Sequence, residues 1–164
     1  MAISSPTPHR AAPRPGTRTR PTPRRAALAA VAVIGALTLS GCWGSTQHKE
    51  LDFINWSRGT NGLAAVNGDS QLMAKAQAWS EHMARTGRLE HTGGGNNLDP
   101  SGIHNWCGVA ENVAYNASSF DAHQAFMKSP PHRRNVLGDY DRVGTGVARK
   151  GNTVWVTEIY VRSC

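Results

Sequence analysis

The chain has 164 residues, with 18 Lys and Arg against 11 Asp and Glu, for a formal charge of +7. Six of those Arg and six of the nine Pro fall in residues 1–25, and the first acidic residue is Glu50. From residue 42 onward the balance is 12 basic to 11 acidic, so net charge gives no support to a nucleic-acid partner, and the length suits one domain behind a tail.

The first 25 residues have no apolar periodicity and predict no fold. Ala26–Leu39 is an uncharged run of fourteen residues, shorter than the roughly 20 needed to span a bilayer as a helix. Behind its Arg-rich flank it reads as the apolar part of a secretory signal. The run ends in Leu39-Ser40-Gly41-Cys42, which resembles the lipobox of bacterial lipoproteins. That likeness implies cleavage after residue 41 and acylation of Cys42. Residues 42–49 would then be a lipidated Cys and a tether, and residues 50–164 the folded domain. The protein would sit on the outer face of the cytoplasmic membrane, or be secreted if Cys42 is not lipidated. Arg24-Arg25 leaves twin-arginine export open beside the general route.

With Cys42 acylated, Cys107 and Cys164 remain as an even pair. Export favours their oxidation to a disulfide, the alternative being a nucleophile or metal ligand.

Glu50–Arg58 carries Leu51, Phe53 and Ile54 on a short helical pattern that ends at Gly59. Asp69 or Ser70 caps a second helix, in which Leu72, Ala76, Trp79 and Met83 form one apolar face and Gly87 is the stop. Thr92–Asn105 reads as a Gly- and Asn-rich loop, and Val109–Tyr115 as a short helix or turn. Ser118 or Ser119 starts another helix, with Phe120, Ala125 and Phe126 apolar, that Pro130-Pro131 stops. His132–Leu137 makes one more helical turn. Arg142–Arg149 and Thr153–Val161 are Val-rich and flank Lys150-Gly151-Asn152, which predicts a β-hairpin. Helices first and strands last predict an α+β fold. Trp56, Trp79 and Trp155 are assigned to the core. Trp106 is assigned to packing beside Cys107, with stacking on a sugar or lipid as the alternative. His82, His104 and His123 are read as surface or loop residues.

The chemistry-bearing residues are His91 in Leu89-Glu90-His91-Thr92, Glu111 in Val109-Ala110-Glu111-Asn112-Val113, and His132 in Ser129-Pro130-Pro131-His132-Arg133-Arg134-Asn135-Val136-Leu137. With Asn55-Trp56-Ser57-Arg58, Val143-Gly144-Thr145-Gly146-Val147 and Trp155-Val156-Thr157-Glu158-Ile159-Tyr160, they resemble, in order, the motifs of the CAP superfamily. That superfamily comprises the cysteine-rich secretory proteins, the antigen 5 allergens and the plant pathogenesis-related proteins, and its bacterial branch is nearest.

The resemblance implies a three-layer α-β-α sandwich, with helices first and a C-terminal hairpin in a small antiparallel sheet. It implies that His91, Glu111 and His132 meet in a central cleft. Asn55, Arg58, Asn112, Arg133 and Asn135 would be structural, bonding carbonyls and loops. Two imidazoles and a carboxylate suit a divalent ion, Zn²⁺ or Ca²⁺, or general acid–base work. Members of the family bind sterols, lipids or divalent ions, so the ligand would be a metal, lipid, glycan or protein. The chain departs from the family at Ala110, Phe126 and Pro131. The second Glu of the animal proteins is missing, with Lys128 and Ser129 in its place. This favours a non-enzymatic binding module over a metal-dependent hydrolase of peptides or wall polymers, in which Glu111 would be the catalytic residue. Glu158 is a weaker candidate for the missing carboxylate.

Overall fold

The computed structural model describes residues 44–164. The expected leader and the acylated Cys42 lie outside the described residues. The elements run α1 (Ser45–Thr60), β1 (Asn67–Gly68), α2 (Ser70–Thr86), β2 (Trp106–Asn116), α3 (Ser119–Lys128), α4 (Pro130–Val136), β3 (Arg142–Lys150) and β4 (Thr153–Ser163).

Local signals set most helix ends. Asp69 accepts from the N–H groups of Gln71 (2.9 Å) and Leu72 (3.1 Å), satisfying donors that the first turn of α2 leaves unpaired. Gly87 closes α2 in the left-handed conformation, φ 71°, and donates to the Met83 carbonyl. Ser118 caps α3. Pro130 opens α4, at a position where its missing N–H costs nothing. At the other end of the domain, α1 starts at Ser45, inside the segment expected to be a tether. Gln47 is buried there, and its amide donates to the Thr145 carbonyl at 2.8 Å. That long-range bond holds residues 45–49 in the folded unit.

The sheet order is β1-β3-β4-β2. β3 and β4 form the predicted hairpin, with Gly151 at φ 58° in its turn. One expectation about the sheet is corrected. Val109–Tyr115 is the middle of β2, not a helix or turn, and it pairs antiparallel with β4 from Trp106↔Ser163 to Asn116↔Val154. The three long strands pair antiparallel, and the two-residue β1 joins parallel to β3 at the edge. Both faces of β2 are partly covered, which blurs in its sequence the polar–apolar alternation of a half-buried strand.

α2 covers one face of the sheet, and α1, α3 and α4 cover the other. This is an α-β-α sandwich. Successive residues of a strand point to opposite faces. In β4, Val154, Val156 and Tyr160 join Ile54, Ala122, Phe126 and Val136 on the three-helix side. Ile159 and Val161 join Leu72 and Ala76 on the α2 side. Burial of each large apolar side chain contributes about 1.5–3 kcal/mol. The Cys107–Cys164 disulfide, Cα–Cα 4.9 Å, ties the start of β2 to the end of β4.

Trp56 is corrected from core to surface, at 65% exposed. α1 buries Glu50, Ile54, Ser57 and Arg58. Trp56 lies two residues from Ile54, about 200° around the helix, and so faces outward. Phe120 is also exposed, and packs edge-on against Phe53 at 5.4 Å. Trp155 is buried, while Trp79 is half-buried and donates from its indole to the Glu90 carbonyl at 2.8 Å. Arg58 is buried and donates to four carbonyls, including those of Ala64 (2.8 Å), Val136 (2.9 Å) and Gly138 (2.8 Å). Asn55 exchanges two bonds with Val66. These ties fix the chain between α1 and β1 and the end of α4.

Gly144 and Gly146 lie on the α2 face of β3. A Cβ at either would collide with backbone atoms of Leu72 or of Ala76 and Gln77. Gly146→Ala is therefore expected to destabilise the fold by about 1–3 kcal/mol through overpacking, measured by urea unfolding; an unchanged midpoint would mean that α2 can shift freely. The Asp69 carboxyl supplies a pH test. Burial opposes its charge, but the Leu72 and Gln71 N–H groups and the Arg142 guanidinium outweigh that and hold its pKa below the ordinary value. Its contribution to stability is present above the unfolded value near 3.9 and is lost as pH falls through the lower folded value. The stability gap between wild type and Asp69→Asn should be greatest near neutral pH and shrink below about pH 4.

Candidate functional site

Two neighbouring residues of an edge strand organise the site. Glu111 and Asn112 are consecutive in β2 and point to opposite faces of the sheet. Glu111 turns toward the α2 side and meets the loop that follows α2. Its buried Oε1 lies 2.6 Å from His91 Nδ1 and accepts from the Thr92 N–H at 3.0 Å. Its Oε2 is buried and has no partner. The loop that carries His91 is folded on itself: the His91 N–H donates to the Gly95 carbonyl, and the Gly94 N–H to that of His91.

Asn112 turns the other way. Its amide donates to the His132 carbonyl (3.2 Å) and to Glu158 Oε2 (2.9 Å), and its oxygen accepts from Asn135 (2.9 Å). Asn135 also donates to the Glu111 carbonyl at 3.3 Å. So the first residues of α4, including His132, are fastened to the strand through the side chain beside Glu111. His132 Nδ1 lies 3.0 Å from Ser129 Oγ, and its ring packs on Phe126 at 5.4 Å. Partial burial and then the neighbouring His91 lower the His132 pKa below the ordinary imidazole value. It is neutral at pH 7. Arg133 reaches only outward, to Asn61 Oδ1 at 3.0 Å.

His91 and His132 thus flank the β2 edge. A groove of about 450 Å³ crosses that edge beside His132, walled by Leu89, Val113, Tyr115, Ala125 and Phe126. Leu89 and Tyr115 are exposed at its mouth. Trp106, expected to pack near Cys107, is instead 41% exposed, and it is not a wall of the groove.

Glu158 goes elsewhere. It is fully buried on the three-helix face, next to Glu50 of α1 and His123 of α3. His123, expected at the surface, is 1% exposed. His82 is half-buried, stacked on Trp79, and His104 is exposed. Among the described residues, Glu50, His123 and Glu158 form a group able to hold a metal ion, with one ligand atom from each within 4.8 Å of the others. Burial, and then the Glu158 carboxylate, push the Glu50 pKa well above its ordinary value. A signal for this group did exist. Glu50, Ile54 and Ser57 share one face of α1, and His123 sits three residues before Phe126 on α3, so charged or polar residues interrupt two apolar stripes.

Asn112→Ala should cost about 2–3 kcal/mol in urea unfolding, because it strips buried partners from Glu158, Asn135 and the His132 carbonyl. A loss under about 1 kcal/mol would mean that α4 is held by packing alone.

The model of the cysteine-rich secretory protein (CAP) family matches residues 51–160. Among solved structures, the chain is similar to an extracellular protein of Bacillus anthracis that contains an SCP domain, with 22% identity and TM-score 0.59. The match covers 72% of this chain and 40% of that one, so this chain corresponds to less than half of the Bacillus protein. It is similar to an outer surface protein of Borrelia burgdorferi, with 15% identity, TM-score 0.63, and 71% and 92% of the two chains covered. It is also similar to NaASP2, solved with Zn²⁺, with 11% identity, TM-score 0.52, and 75% and 88% covered. No curated protein matches the sequence significantly.

Proposed function

The chain belongs to the cysteine-rich secretory protein family, and we propose that it is an exported, non-enzymatic binding module whose cleft takes an amphipathic ligand from the cell surface or wall. The groove across the β2 edge carries this reading: it is half-open, apolar along Leu89, Val113, Tyr115 and Phe126, and has a neutral imidazole at one side. A ligand with an apolar body and a hydrogen-bonding head suits such a surface. Export fits the leader and the Cys107–Cys164 disulfide, which persists in an oxidising compartment. Acylation at Cys42 would hold the domain at the membrane, with α1 starting only three residues beyond it.

The hydrolase alternative lacks a complete set of groups. Ser129 Oγ is 3.0 Å from His132 Nδ1, but among the described residues no carboxylate bonds the other ring nitrogen to orient it. Glu111, the nearby acid of β2, bonds His91 instead and is not a wall of the groove.

A second reading, a divalent metal in the cleft, is favoured by one observation. His91 and His132 each use Nδ1 internally, toward Glu111 and Ser129, which leaves both Nε2 atoms for a ligand. A carboxylate behind an imidazole is the usual support of a metal-binding His. In this reading the two imidazoles would hold a zinc ion through Nε2, and zinc would supply a Lewis-acidic anchor for an anionic headgroup.

The test is a pair of titrations on the protein. A fluorescent fatty acid should bind saturably, and Ala114→Trp, which fills the groove, should weaken it at least about tenfold. Absence of saturable binding overturns the amphipathic-ligand reading. Calorimetry with Zn²⁺ should give a cleft site that both His91→Ala and His132→Ala remove; if neither variant changes the isotherm, the cleft does not hold the metal.

A further inference from the structure

The geometry points to a second, internal site: we propose that Glu50, His123 and Glu158 hold a structural divalent ion of the zinc class, enclosed as the domain folds. It is separate from the cleft and independent of what the cleft binds.

Each of the three residues presents an unsatisfied atom to the same small volume. His123 Nδ1, Glu158 Oε1 and both oxygens of Glu50 are buried without a hydrogen-bond partner. His123 Nδ1 is 3.7 Å from Glu158 Oε1 and 3.9 Å from Glu50 Oε1. The opposite atoms are tied back. His123 Nε2 lies 2.8 Å from Ser57 Oγ, and Glu158 Oε2 accepts from Asn112 (2.9 Å) and from the Tyr160 hydroxyl (2.8 Å). One nitrogen and one oxygen are held by neighbours, while their counterparts face inward. This is how imidazole and carboxylate ligands are oriented on a metal.

Charge argues the same way. The three side chains are 0–1% exposed, and an ionised carboxylate placed so deep costs several kcal/mol unless compensated. Among the described residues, no Lys or Arg makes an ion pair with Glu50 or Glu158; the ionisable nitrogen nearest to both is His123 Nδ1. A dication beside two carboxylates and a neutral imidazole balances the charge and satisfies the inward atoms at once. The donor set of one nitrogen and two oxygens belongs to zinc chemistry. Metal–ligand bonds of about 2.1 Å at tetrahedral angles put ligand atoms about 3.4 Å apart. The present separations need only a small inward movement.

The site would join three elements that are far apart in sequence: α1 through Glu50, α3 through His123 and β4 through Glu158. It would also touch the cleft wall from behind, since Asn112 bonds both Glu158 and the His132 carbonyl. The ion therefore stabilises the platform of the cleft without being open to it.

The experiment strips metal from the unfolded protein with a chelator, refolds it with and without Zn²⁺, removes loosely held ion and measures the zinc retained. One ion per chain and a raised melting temperature are expected. The double variant His91→Ala/His132→Ala, which leaves the buried trio intact, should retain that ion. His123→Leu should lose it. If His123→Leu does not fold, Co²⁺ bound to the double variant decides, since the d–d spectrum of a low-symmetry nitrogen–oxygen site is expected. No retained metal in wild type overturns the proposal and leaves the carboxylates neutralised by shared protons. Retention in wild type but loss in the double variant also overturns it, because the ion then belongs to the cleft.

Discussion

The site depends on one constraint, that adjacent side chains of a β-strand leave it in opposite directions. Glu111 and Asn112 sit side by side in β2, and each organises the residues on one side of the strand. Glu111 fixes His91 and the loop after α2; Asn112 fixes His132 and the start of α4. Because β2 is an edge strand, the two imidazoles reach past it from either side without a helix between them. A helix across residues 109–115, as the local pattern suggested, would have put Glu111 and Asn112 about 100° apart and destroyed this division.

That division requires β2 to stay in register. Three features secure it: the ladder to β4, the Cys107–Cys164 bridge at one end, and the close seating of α2 on Gly144 and Gly146. The last has a plain steric origin. α2 approaches β3 so closely that no side chain fits between them, and this lets one helix cover the sheet while Leu72 and Ala76 reach Ile159 and Val161. The other face is built differently, from three shorter helices around Ile54, Phe126 and Tyr160, and polar residues are enclosed within it.

Those enclosed polar residues separate this domain from a simple apolar sandwich. Ser57, His123, Glu50, Glu158, Asn112 and Tyr160 form a connected buried group behind the cleft. Networks of this kind are stabilising only when their members are satisfied. The unsatisfied inward atoms, against the satisfied outward ones, are the observation on which the proposed internal metal site rests. The opposite face shows a milder form of the same asymmetry, with Glu111 Oε1 used twice and Oε2 not at all.

The sequence alone determined the features that rest on neighbours in the chain. The stop at Gly87 and the turn at Gly151 follow from a residue's own conformational preference, and the caps at Asp69 and Ser118 are each one of the two adjacent residues the sequence offers. The pairing of Cys107 with Cys164 was legible from elimination, and the motifs around His91, Glu111 and His132 from order along the chain. Tertiary structure decided the rest. Whether residues 109–115 extend or coil was settled by a partner strand whose paired residues lie 40 to 52 positions further on. Whether Trp56 or Glu50 lies inside was settled by which face of α1 meets the sheet, and hydrophobicity alone chose wrongly between them. His123 and Glu158 carry no local sign of acting together. They are 35 residues apart, and only the docking of α1 and α3 on β4 brings an imidazole and two carboxylates into one dry volume, where charge must be matched because water cannot reach it.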